Sequence, residues 1–271
     1  MQKTTWACTL AITAAVLSSG VTTRAQAPET VFLEDMTWPE VRDALKAGKT
    51  TVIIPTGGTE QNGPHMVLGK HNWLVKYKAG EVAKRLGDAL VAPVVAYVPE
   101  GEINPPTGHM RFPGTITTPQ DVFAKVLEYA ARSFKQHGFK EIVFLGDSGG
   151  NQAGQKLVAD LLNKEWEPTD VRVDHLSDYY PGPGDDWLKT QGISDEDVGS
   201  HASIHDTASL LWLNPSMIRK DKLAPGKAND GSGTVGNPAK STVEFGRQIV
   251  ERQIAAAVQQ VKTLRQSRAK K

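Results

Sequence analysis

The chain has 271 residues, with 31 basic and 30 acidic side chains, a single cysteine and 39% apolar residues. That length supports one or two domains with a sizeable core, and the near balance of charge excludes the basic excess with which nucleic-acid-binding proteins hold phosphates. The 25 glycines and 16 prolines follow no period, which excludes collagen-like and low-complexity classes, and no internal repeat is visible.

Lys3 precedes an apolar run from Ala7 to Leu17, and Ala25 and Ala27 then supply a small-x-small cleavage pattern. This predicts a secretory signal peptide over 1–27, one domain over 28–271, and a periplasmic or secreted location. Cleavage after Ala27 leaves 244 residues with 29 basic and 30 acidic side chains, and Cys8 departs with the leader. The mature protein then has no disulfide, thiolate ligand or cysteine nucleophile, so any metal must be held by His, Asp and Glu. No second apolar stretch of about 18 residues follows, so no membrane span is expected.

Thr51–Pro55 is a β-branched run before Thr-Gly-Gly and reads as a buried strand. Asn72–Leu86 has helical spacing through Trp73, Leu74, Tyr77, Val82 and Leu86, and Ala89–Val98 is again strand-like. Thr118 and Pro119 open a helix that Gly138 stops; Glu141–Leu145 is a strand, Asn151–Trp166 a helix and Val171–His175 a strand. This alternation predicts an α/β fold, a mostly parallel sheet with helices on both faces. A loop-rich insert follows from Tyr179 to Ser200, headed by Pro181, Gly182, Pro183 and Gly184. Thr207–Leu213 is a short helix or strand, Arg219–Pro238 reads as a polar surface excursion, and Ser241 and Glu244 have capping-box spacing before a long C-terminal helix. The basic tail Arg265–Lys271 reads as a frayed, solvated end. In such sheets ligands bind beyond the carboxyl ends of the strands.

Three segments at those ends carry polar groups suited to chemistry. Glu60-Gln61-Asn62-Gly63-Pro64-His65 and His71 follow the first strand, where glycines let Glu60 and His71 converge although eleven residues apart. Gly146-Asp147-Ser148-Gly149-Gly150-Asn151 forms a strand-turn-helix corner. The string Gly-Asp-Ser-Gly-Gly also surrounds the nucleophile of chymotrypsin-like proteases, but those are all-β proteins with a different partner order. His201, His205 and Asp206 lie within six residues, as metal ligands or a base with its orienting acid. His109 sits in another strand-end loop, while His137 and His175 read as structural.

Taken together with Phe112-Pro113-Gly114-Thr115 and Asn214-Pro215, these segments resemble the creatininase (creatinine amidohydrolase) family, in the family's order and over residues 51–215. The resemblance implies a three-layer α/β/α sandwich, a homo-oligomer, and two divalent ions that activate water against an amide or cyclic amide. Carried over residue by residue, it keeps the first ligand as Glu60 and the proposed catalytic histidine as His201. The following ligand histidine is Asn62 here, the bridging aspartate is His71, the corner histidine is Ser148, and an occasional glutamate is Gly150. In the last segment Ile204 replaces one glutamate, and Asp206 stands for another.

The resulting expectation is an exported hydrolase of a C–N bond in a small molecule, with Glu60, His71, Asp147 and His205 as candidate ligands to a divalent ion. His201, Asp206 and Ser148 are the candidate catalytic groups, and Asn62, His65 and His109 those that position substrate. At most one ion per chain is expected, because a neutral imidazole at His71 offers one lone pair and cannot span two ions. Two other readings remain open: a binding protein that kept the pocket without the chemistry, and a metal-free hydrolase using Ser148.

Overall fold

The computed structural model describes residues 30–180 and 182–270; the expected signal peptide over 1–27, Pro181 and Lys271 lie outside them. Helix α1, Trp38–Lys46, comes first and has no counterpart among the predicted elements. Its start was nonetheless legible, since the Glu40 carboxylate accepts the Thr37 backbone N–H at 2.6 Å, and Pro39 sits in the first turn.

Strands β1 (Thr51–Thr56), β2 (Ala89–Val91), β3 (Glu141–Gly146) and β4 (Arg172–His175) form one parallel sheet in the order β2-β1-β3-β4. Both faces are covered, which is why the strands read as continuous apolar runs. Val52, Ile54 and Phe144 pack on one face against Phe123 and Leu127 of α3 (Gln120–Gln136) and Val158 and Leu162 of α4 (Gly149–Glu165). Ile53, Val143 and Leu145 pack on the other against Val75 and Val82 of α2 (Lys70–Leu86) and Val250 and Ile254 of α8 (Val243–Ala269). The result is the expected three-layer α/β/α sandwich. No helix of the described residues is long and apolar enough to cross a membrane.

Several boundaries differ from expectation, each for a local reason. β2 stops at Val91, since Pro93 cannot donate to a ladder; only an isolated bridge from Val95 to Thr56 continues the pairing. The insert after β4 contains two short helices, α5 (Gly184–Thr190) and α6 (Asp195–Val198), and Ile204–Leu213 is helix α7. The cap of α8 is Thr242, whose hydroxyl accepts the Phe245 N–H at 3.0 Å, and not Ser241. The segment 219–238 is not a free excursion. Arg219 N–H donates to His65 O at 2.7 Å, Val235 bridges His201, and Thr234 is buried, so the segment folds across the strand ends. The basic tail is likewise structured: α8 runs to Ala269, and Arg265 and Arg268 reach the opposite end of the sheet, where both pair with Glu141.

Candidate active site

Beyond the carboxyl end of β1 the chain turns through Gly57 and Gly58, and Asn72 of α2 pins the turn by accepting the Gly58 N–H at 3.0 Å. This brings Glu60 to the base of a cavity of about 410 Å³, lined also by Lys70, His71, Glu100, Ser148, His201 and Asp206. Glu60 is 1% exposed, so every charge near it acts through little solvent.

One side of Glu60 is committed to a buried chain of charge. Its Oε1 lies 2.8 Å from His71 Nε2, and His71 Nδ1 lies 3.0 Å from Asp147 Oδ2. Asp147 Oδ1 in turn accepts from Lys78 Nζ at 2.9 Å and from the Tyr179 hydroxyl. Burial opposes a charge on His71, as does Lys70, but the two carboxylates outweigh both and raise its pKa. Burial also opposes the Glu60 charge, yet His71 by its charge and hydrogen bond holds that carboxyl well below the ordinary range. His71 is thus an imidazolium clamp between two acids.

The other side of Glu60 faces two histidines. His109 Nε2 lies 3.3 Å from Glu60 Oε2, and His201 Nδ1 lies 3.8 Å from Glu60 Oε1. Gln61 sets both rings, its amide nitrogen 3.0 Å from His109 Nδ1 and 2.9 Å from His201 Nε2. His201 Nε2 also lies 2.9 Å from Gln61 O. Burial, reinforced by Lys70, pushes the His201 pKa down to about 4, and burial lowers that of His109, so both rings are neutral. Beside them, burial and the hydrogen bond and charge of Glu60 push Glu100 up to about 10, so its carboxyl stays protonated. Gly58 makes room for it, since a Cβ there would lie 2.4 Å from Glu100 Oε1.

These distances bear on the implied metal. Ligands about 2.0–2.1 Å from a common tetrahedral ion lie about 3.3–3.4 Å apart. Glu60, His109 and His201 each offer one atom within 4.8 Å of the others. The set fits one ion with an open fourth position. A second ion does not fit at the positions the resemblance implies. Both nitrogens of His71 are engaged, and the Asn62 amide donates to Glu60 O at 2.9 Å. At Gly150 a Cβ would lie 2.3 Å from Pro99 O, which leaves no space for a side chain.

The expected site residues therefore divide. Glu60, His71, Asp147, Ser148, His109, His201 and Asp206 all gather around this cavity or directly beneath it. His71 and Asp147, expected as ligands, have their donor atoms taken by each other, Glu60, Lys78 and Tyr179. His205, also expected as a ligand, pairs instead with Asp185 of α5 at 2.6 Å and lies outside the lining. Asn62 and His65, expected to meet substrate, are fully buried; His65 Nε2 lies 3.0 Å from Thr207 Oγ1. His109, expected to position substrate, stands among the potential ligands instead. Asp206, expected to orient a histidine, pairs with Lys70 at 2.9 Å. Ser148 caps α4 at the cavity wall, and among the described residues no histidine or carboxylate hydrogen-bonds its hydroxyl. Gln61, Lys70 and Glu100 were missed, although the first two lie inside the segment that drew attention to Glu60.

The creatinine amidohydrolase (Creatininase) family profile matches residues 34–261. The chain belongs to the creatininase family. It is 27% identical over 233 residues to the mycofactocin precursor peptide peptidase of Mycolicibacterium smegmatis, covering 78% of this chain and 84% of that protein. It is 26% identical over 201 residues to the creatinine amidohydrolase of Pseudomonas putida, covering 72% and 76%. A solved creatininase described as its Mn form superposes with a TM-score of 0.74 at 22% identity, over 87% of this chain and 98% of the other, which establishes the shared fold.

Proposed function

We propose that this protein hydrolyses an amide-type C–N bond of a small molecule, with one divalent ion held by Glu60, His109 and His201. The observation that carries this reading is that Glu60, His109 and His201 each bring one potential ligand atom within 4.8 Å of the others at the cavity. When bound, a divalent ion supplies Lewis acidity that acidifies a water and polarises a carbonyl. The chain's own groups do the rest. Gln61 fixes both histidine rings, and His71 holds Glu60 ionised. Glu100 is the protonated group on the cavity wall: it gives its proton to the leaving nitrogen as the C–N bond breaks, and then recovers one from the oxygen that the water has added to the carbonyl carbon.

Two relatives, a peptide peptidase and a creatinine amidohydrolase, both take their names from cleaving C–N bonds, which supports the bond type and leaves the substrate wide. A second cavity of about 550 Å³ meets the first at Gly108, His109 and His201, so a substrate has room on both sides of the reacting bond. Export and a homo-oligomer complete the proposal.

The test is elemental analysis of purified protein with a hydrolysis screen over creatinine and N-acyl and peptide amides. About one ion per chain is expected, with turnover lost on chelation and restored by metal. Ligand-dependent thermal shifts with neither ion nor turnover would favour the binding-protein reading. Fluorophosphonate labelling lost in Ser148→Ala would favour the serine hydrolase.

A further inference from the structure

Lys70 lines the cavity but neither offers a ligand atom nor moves a proton in the proposed reaction. It is the first residue of α2 and 0% exposed, and its Nζ lies 2.9 Å from Asp206 Oδ1. Two considerations argue against a purely structural role. A cation in the first turn of a helix meets the positive end of the helix dipole, so Lys70 does not help α2 form. A buried ammonium is also costly unless its hydrogen bonds are met, and an ammonium has three N–H donors. Asp206 takes one of them, and the structure provides no other hydrogen-bond acceptor among the described residues.

Lys78, about two turns further along α2, shows the contrast. It too has a single carboxylate, Asp147, but its Nζ also lies over the Tyr179 ring, 5.3 Å from the centroid, and it lines no cavity. Lys70 does line the cavity that holds Glu60, Glu100 and His201. Its remaining donors therefore have the cavity contents as their available partners. Its charge reaches the whole constellation, acting on Glu60, His71, Glu100, His109 and His201.

We propose that Lys70 is a catalytic residue whose ammonium, steered by Asp206, receives the carbonyl oxygen of the scissile amide and stabilises the negative charge it gains on water attack. This rests on the hydrolase reading for the reaction, while the anion-receiving character of Lys70 stands apart from it. The chemistry is that of an oxyanion hole built from one buried cation: the carbonyl π electrons move onto oxygen as water bonds to carbon, and they return when the C–N bond breaks.

The experiment uses the metal-loaded protein and inorganic phosphate as a tetrahedral anion probe, with calorimetric binding and ion content measured in parallel. Lys70→Met is compared with the double variant Lys70→Met/Asp206→Asn, which leaves no unpaired buried carboxylate if the single variant folds poorly. Phosphate affinity is expected to fall by about tenfold or more in the folded variants, with ion content unchanged. Where an amide is turned over, kcat should fall by about 100-fold with a smaller change in KM. Lys70→Arg should recover part of the phosphate affinity. Failure of the parent protein to bind phosphate at millimolar concentration, or affinity within about twofold in folded variants, would overturn the assignment. Lys70-dependent phosphate binding without hydrolysis of any amide would instead retain Lys70 as an anion-binding residue and reject the hydrolase reading.

Discussion

At the scale of single residues, what separates the legible from the hidden is whether a role depends on type or on burial. Glu60 and His201 were legible because an acid and a histidine at strand-end loops are natural ligands wherever the loops converge. Lys70 was not, since a lysine next to glycines in a polar loop looks solvated until the fold shows it fully buried. Gln61 carried no signal at all, because an amide acquires its role only by lying about equally near two rings. That role yields a prediction. Gln61→Ala removes the partner that orients both imidazoles, and metal affinity should fall about 10–100-fold, measured by competition with a chromogenic chelator. An unchanged affinity would mean that the rings are held by packing alone. His71 gives a second prediction. Its removal leaves the buried carboxylates of Glu60 and Asp147 without the cation between them, so His71→Ala should cost about 3–5 kcal/mol in urea unfolding. His205→Ala, which breaks a part-buried pair with Asp185 and strands no fully buried carboxylate, should cost less, roughly 1 kcal/mol. Equal losses would refute the clamp.

At the scale of elements, the strand and helix order was readable because both faces of a parallel sheet are buried, and apolar runs then mark strands directly. Tertiary pairing decided what the pattern left out. Segment 219–238 is polar and glycine-rich, yet its backbone completes the wall around Gln61 and His201: a Cβ at Gly233 would lie 2.2 Å from Gln61 Oε1. The last turns of α8 show the same principle. Arg265 and Arg268 look like tail residues, but the helix carries them to Glu141 at the start of β3, and Arg268 also reaches Asp174 in β4. Both arginines are about one-third exposed, so water screens the pairs and the stake is below that of a fully buried bridge. Arg268→Ala should destabilise by about 1–3 kcal/mol, and ion content should not change, because Glu141 begins β3 at the end of the sheet away from Glu60. A thermal melt and elemental analysis on the same preparation check both halves. Loss of the ion without loss of stability would contradict this division between the two ends of the sheet.

At the scale of the whole molecule, the fold constrains how the expected export signal must be removed. The described residues begin at Thr30, and the first of them are already packed: the Thr30 hydroxyl accepts the Phe32 N–H at 3.1 Å, Val31 is buried, and Phe32 bridges Val91 at the edge of β2. A cut beyond Thr30 would strip these contacts, expose the edge of β2 and remove Val31 from the core under α2. A cut after Ala27 leaves Pro28 and Glu29 ahead of Thr30 and keeps these contacts. Proline is a poor first mature residue for signal peptidase, so a cut within a few residues upstream satisfies the same constraint. Expression with the native leader should therefore place the protein in the periplasm or medium, with intact mass giving a terminus at Pro28 or slightly before it. The mature chain should match the melting temperature of a version started directly at Pro28, because both keep every contact of the residues from Thr30 onward. An intact Met1 terminus on protein retained in the cytoplasm would reject export. A terminus inside 31–36 with unchanged stability would show instead that the contacts of Val31 and Phe32 contribute little to the fold.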